Sequence, residues 1–127
     1  MATALTETGF TAHNALFVRG YATGAAAINH TLTVPSGKVL LLRRLTLHMS
    51  AAPVASENFV VKIDSDLGAG YDTTLYSLDL STGSTTDVLL TDEEFGELEF
   101  VEGEVVTVTY TNTNTNTWGL TAIFEER

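Results

Sequence analysis

Apolar residues, with one histidine among them, recur at every second position through much of the chain. The sets are Ile28, His30, Leu32 and Val34; Phe59, Val61 and Ile63; Tyr76, Leu78 and Leu80; Val106, Val108 and Tyr110; and Trp118, Leu120, Ala122 and Phe124. A period of two places each set on one face of a β-strand. The intervening residues are mostly Thr, Asn, Glu, Asp and Lys, so the opposite face meets water, as in antiparallel rather than parallel sheets. No stretch of helical length keeps a 3.6-residue pattern with caps.

Turn-forming residues separate these runs at Pro35-Ser36-Gly37, Pro53 to Asn58, Gly68-Ala69-Gly70, Ser81 to Ser84, Asp92 to Gly96 and Glu102-Gly103-Glu104. Their spacing suits a sandwich or barrel. The pattern predicts eight or nine strands: 16–21, 28–34, 38–50, 58–65, 74–80, 87–90, 98–101, 104–111 and 117–125. Threonine, about one residue in six, and the β-branched and aromatic residues favour the same all-β reading. Between Lys38 and Ser50 the alternation contradicts itself, because Arg43 shares the parity of Val39, Leu41, Leu45, Leu47 and Met49. A β-bulge near Arg43-Arg44 would reset the phase. Thr111 to Thr117, alternating Thr and Asn between two regular strands, reads as an exposed hairpin tip.

With 127 residues, 44% hydrophobic and 17% charged, the chain has the size of one domain and enough apolar content to fold. Residues 15–127 are assigned to that domain. Met1 to Asn14 carries no core-forming period and is expected to be a flexible arm. No apolar stretch reaches bilayer-spanning length, and Met1 to Phe10 lacks the basic start and apolar run of a secretory leader, so neither membrane insertion nor cleaved export is expected. The formal charge of −10 argues against a nucleic-acid partner, whose phosphates call for Lys and Arg. No cysteine is present, which excludes disulfides, thiolate metal sites and cysteine nucleophiles. The charge is uneven: residues 1–60 hold two acids and four bases, and residues 61–127 hold fourteen acids and two bases. Such a split would let one surface meet an acidic partner while another repels it.

Candidate chemistry is sparse. Asp64, Asp66 and Asp72 surround Gly68 and Gly70 in the spacing of a loop that could converge oxygens on a calcium ion, yet the distal bidentate Glu and a third close ligand are missing. The pattern favours a plain acidic loop, with calcium as the alternative and no other cofactor. Asp92, Glu93, Glu94, Glu97 and Glu99 could in principle pair for glycoside hydrolysis, but acids in a turn stay solvated rather than acquiring the raised pKa a general acid needs. His13, His30 and His48 show no triad or metal spacing. Tyr76, Tyr110 and Trp118 follow inward parity, which leaves Tyr71 as the aromatic free for sugar stacking. An enzyme is not expected.

Val34-Pro35-Ser36-Gly37-Lys38-Val39-Leu40-Leu41-Leu42, the Asn58 to Asp64 strand with Tyr71-Asp72, and Gly103-Glu104-Val105-Val106-Thr107-Val108-Thr109-Tyr110 followed by Trp118-Gly119-Leu120 together resemble small jelly-roll accessory proteins of tailed-bacteriophage virions. The likeness spans Ile28 to Phe124. It implies a jelly-roll-like β-sandwich that serves as a capsid decoration or cement protein: made in the host cytoplasm, commonly a homotrimer, seated on the major capsid protein at the outer surface of the virion. On that expectation the less acidic half would bind the shell through Phe10, His13, Arg19, Arg43 and Arg44, and the acidic loops would face away. The alternative is a carbohydrate- or receptor-binding head of a fibre or tail, using Tyr71 and the Thr-Asn tract.

Overall fold

In the computed structural model, residues 6–8, 17–95 and 98–127 are described, with side chains described for 20–93 and 98–127. Ten strands result: β1 (Thr6–Thr8), β2 (Phe17–Gly24), β3 (Ile28–Thr33), β4 (Val39–Met49), β5 (Asn58–Asp64), β6 (Thr73–Asp79), β7 (Asp87–Thr91), β8 (Glu99–Val101), β9 (Val105–Tyr110) and β10 (Trp118–Glu126). β2 to β10 correspond to the nine strands the alternation predicts. The extra strand, β1, falls within the expected arm and pairs Thr6–Thr8 with Thr33–Thr31 of β3; the rest of Met1 to Asn14 lies outside the described residues. Only short helical turns occur among the described residues: Ala69–Tyr71, Thr82–Ser84 and the single turn α1 (Asp92–Phe95).

The strands form two antiparallel sheets packed face to face, in the orders β1-β3-β9-β5-β6 and β2-β10-β4-β7, with β8 pairing the first residues of β4 beyond the end of β7. The inward sets named from the sequence fill the space between them. Phe59, Val61, Val106, Val108, Tyr110, Trp118, Leu120, Ala122 and Phe124 are all buried in one cluster. Aromatic edges meet inside it, Phe100 on Phe124 at 6.3 Å and Phe59 on Tyr76 at 6.4 Å between ring centroids, in the edge-to-face geometry aromatic quadrupoles favour. His30 is half-buried with its ring edge-on to Trp118 at 5.3 Å, and burial pushes its pKa down.

The contradiction in β4 is resolved by a bulge. Ile123 pairs with Arg44 and the next residue, Phe124, pairs with Leu42, so Arg43 is the extra residue. Beyond it the phase flips: Leu40 and Leu42 join Leu45, Leu47 and Met49 in the core, whereas Leu41, although buried, lies outside that cluster.

The hairpin expected at Thr111 to Thr117 is not formed. β9 and β10 belong to different sheets, and the tract carries the chain across the end of the sandwich. Alternation reports which face a residue takes and not which strand it pairs with, so both topologies satisfy the same pattern. Nor is the tract a free polar loop. Asn112 is 3% exposed; its Nδ2 donates to the carbonyls of Ala25 and Ala26 at 3.1 Å and of Asn116 at 3.0 Å, and its Oδ1 accepts from Asn116 N at 3.2 Å. Asn114 Oδ1 accepts from the amides of Val54 and Ala55, both at 2.9 Å, and Asn116 Nδ2 donates to Ala51 O at 3.2 Å. The asparagines thus tie three connections together while Thr111, Thr113, Thr115 and Thr117 stay exposed. Next to them Trp118 Nε1 donates to Ala26 O at 2.8 Å, and Gly24, paired with Trp118, leaves room for the indole: a Cβ there would sit 3.2 Å from it.

Candidate docking face

The outer face of the β2-β10-β4-β7 sheet departs from the wet face expected of a sandwich. Register places Tyr21, Thr121, Thr46 and Leu89 side by side across its four strands. Arg19, Ile123, Arg44 and Thr91 form the next rank in the same way. Tyr21 is 44% exposed and Leu89 58%, and Val101 of β8 is 49% exposed. Ile123 is half-buried between them. Scattered apolar residues on a surface are ordinary, but Tyr21, Leu89 and Ile123 on one sheet face beside exposed Arg44 have the make-up of a binding surface.

Backbone register brings three of the six basic residues of the chain to this region. Arg19 and Arg44 flank Ile123 from either side, and the bulge delivers Arg43 beside them. The side chain of Arg19 lies outside the described residues, as do Phe10 and His13 altogether. Arg43 is committed within the protein. Its Nη1 donates to Asp92 Oδ2 at 3.0 Å and its Nε to Glu125 Oε1 at 3.1 Å, with Nη2 also on Glu125 Oε1. Arg127 Nε reaches the other oxygen of Glu125 at 2.9 Å. Hydrogen bonds from Arg43 and then Arg127 hold the Glu125 carboxyl below its usual range. Arg44 is exposed. With Arg43, Thr91, Asp92, Glu93 and Ile123 it lines an open depression of about 430 Å³.

This placement corrects the expected separation of charge. Asp92 and Glu93, which open the second acidic cluster, do not point away from the arginines; they share the depression with them, and Asp92 neutralises Arg43. Glu99, on β8, pairs with Leu41 in the same sheet, and the side chains of Glu94 and Glu97 lie outside the described residues. Chain order separates Arg19, Arg44 and Asp92, and only strand pairing makes them neighbours. No family model matches the chain, and no curated protein matches it either.

The Asp64 to Asp72 loop sends its three carboxylates in different directions. Asp72 Oδ1 accepts from Ser65 N at 2.8 Å and closes the loop on itself. Asp66 lies against Gly103, whose φ of +86° turns the β8–β9 connection and whose missing Cβ would sit 2.9 Å from the Asp66 Cγ. Asp64 stays exposed on β5. Among the described residues no three His, Asp or Glu side chains are grouped so as to hold a metal ion. Among the described residues three carboxylates have clearly displaced pKa values, and all three are lowered. Asp79 is stabilised in its charged form first by Ser56, Asp87 first by His48, and Glu125 first by Arg43. A general acid needs the opposite shift.

Proposed function

We propose that this protein is a non-enzymatic structural component that docks onto a larger assembly through the outer face of the β2-β10-β4-β7 sheet. In keeping with the resemblance, the assembly is the shell of a tailed-phage virion, and the protein decorates and stabilises it. The observation that carries the reading is the rank in which Arg19 and Arg44 flank Ile123 next to exposed Tyr21 and Leu89. A chain of net charge −10 has few cations to place, and with Arg43 already paired to Asp92 and Glu125, exposed Arg44 beside Ile123 suits a partly apolar protein surface that offers an acceptor to that guanidinium. The jelly-roll part of the reading is supported by the interleaving of the sheets. If the eight strands other than β1 and β8 are counted in chain order, one sheet takes the first, eighth, third and sixth and the other takes the second, seventh, fourth and fifth, as two interlocked Greek keys would arrange them. Trimeric assembly of the free protein belongs to the same proposal and is read from sedimentation.

The test is co-sedimentation of the full chain with purified capsids of the phage that carries its gene. Arg44→Glu combined with Leu89→Asp should lower retention by at least about tenfold, the effect of losing one interfacial contact of about 1.4 kcal/mol, with an unchanged circular dichroism spectrum. Retention of the double variant at the level of the parent would remove this face from the proposal. Failure of the parent to sediment with capsids would remove the shell as its partner.

A further inference from the structure

The outer face of the other sheet carries a second open depression, of about 300 Å³, where β3 begins, β5 begins and β9 ends. Its polar lining is Asn29, Asn58, Thr109 and Thr111. Asn29 pairs with Thr109, which also pairs with Val60. Asn58 and Thr111 stand two residues further along β5 and past the end of β9, so period two puts all four on the same face. Asn29, Asn58 and Thr111 are exposed and Thr109 is half-buried. Asn58 Nδ2 donates to Ser77 Oγ at 2.9 Å, which leaves its Oδ1 and second N–H, the Asn29 carboxamide and the two hydroxyls to offer donors and acceptors; Ala27, Ile28 and Tyr110 complete the lining, with no charged side chain among them.

The surrounding charges narrow the ligand. Glu57 precedes Asn58 and accepts from Thr113 N at 3.0 Å and from the Thr113 hydroxyl. Asp79 is the register partner of Asn58 and accepts from Ser81 N at 2.9 Å and from the hydroxyls of Ser56 and Ser81. Both carboxylates are engaged within the protein, yet they keep this end of the sheet negative. Buried Tyr110 reports that field, its phenol pushed up first by burial and then by Glu57 and Asp79. An anion would be repelled here. A cation would find the carboxylates already occupied, and an apolar ligand would strip water from four polar side chains without replacing their hydrogen bonds.

We infer that this depression binds one uncharged sugar residue, a neutral hexopyranose presented singly or within a longer glycan. The volume is at the lower end of the range for small-molecule sites, which suits a single ring. The hydroxyls of such a ring donate and accept in turn, as the lining does. The site is on the opposite side of the sandwich from the docking face and does not depend on that reading.

The experiment is amide chemical-shift mapping of the full chain titrated separately with glucose, galactose, mannose, N-acetylglucosamine and, as the anionic counterpart, glucuronate. At least one neutral sugar should produce saturable shifts confined to residues 27–29, 58 and 109–111. Replacing Asn29 by Ala together with Thr109→Val should weaken that response at least about tenfold; Asn29→Ser alone, a milder change at an exposed position, should weaken it without altering the rest of the spectrum. No saturable shift at these residues with any neutral sugar would overturn the inference. So would glucuronate binding there as tightly as the best neutral sugar, or a response that both variants leave intact.

Discussion

The two connections with the most distinctive sequences, Thr111 to Thr117 and Asp64 to Asp72, exchange the roles their compositions suggest. The uncharged, repetitive Thr-Asn tract resembles filler, yet it crosses between the sheets and holds the turns at Ala25-Ala26 and Ala51 to Ala55 through Asn112, Asn114 and Asn116. The charged, glycine-bearing loop resembles a ligand site, yet Asp72 closes the loop on itself, Asp66 rests against Gly103 and Asp64 stays exposed. The difference lies in what each side chain can satisfy. A carboxamide supplies donors and an acceptor together, so a buried one can saturate several orphaned carbonyls and amides at once, as Asn112 does. A carboxylate only accepts, so it cannot satisfy an orphaned carbonyl, and at the rim it stays hydrated at low cost.

Substitutions sort the two connections by energy. Asn112→Ala should have the largest effect, a loss of about 3 kcal/mol in urea-midpoint stability, because it removes a buried carboxamide that donates to the carbonyls of Ala25, Ala26 and Asn116 and accepts from Asn116 N. A loss under about 1 kcal/mol would mean that water replaces the amide there, and the contrast between the connections would collapse. Gly103→Ala should cost about 2 kcal/mol, since it combines a left-handed φ with a Cβ pressed against Asp66. Adding Asp66→Gly should recover the packing part of that loss and none of the backbone part. Asp72→Ala should cost about 1 kcal/mol, the worth of one hydrogen bond to Ser65 N. At the bottom of the scale, neither excess calcium nor a chelator should move the melting temperature, because a ligand stabilises only what it binds. A rise with calcium that Asp64→Asn abolishes would restore the metal reading.

Strand positions and burial were legible because they follow from local alternation. β2 to β10 fall close to the predicted segments, although β2 runs on to Gly24, and the clash of Arg43 with its own strand placed the bulge in β4 near Arg43-Arg44, where Arg43 is the extra residue. Pairing was not legible, and most errors trace to it. The parity of Val106 to Tyr110 and of Trp118 to Phe124 is right, but the inference that two neighbouring regular strands form a hairpin is not. The same gap hid the docking face. Arg43 and Arg44 are conspicuous as a pair, but that Arg19 and Ile123 join them depends on β10 lying between β2 and β4. The role of Asn112 left no signal, since polar alternation does not distinguish a hydrated amide from one that has lost all contact with water.

The placement of β10 also constrains how the chain is made. Among the described strands, β5 and β6 alone are both consecutive in sequence and hydrogen-bonded neighbours; every other pair waits for a distant segment. β2 and β4 flank a gap that the Trp118–Glu126 segment must fill. During translation the first half of one sheet therefore emerges with its central strand still inside the ribosome, exposing unpaired edges and the apolar side chains of β4 for as long as synthesis takes to reach residue 126. A chain cut before Trp118 would keep β2 and β4 as two open sheet edges facing each other with nothing to close them.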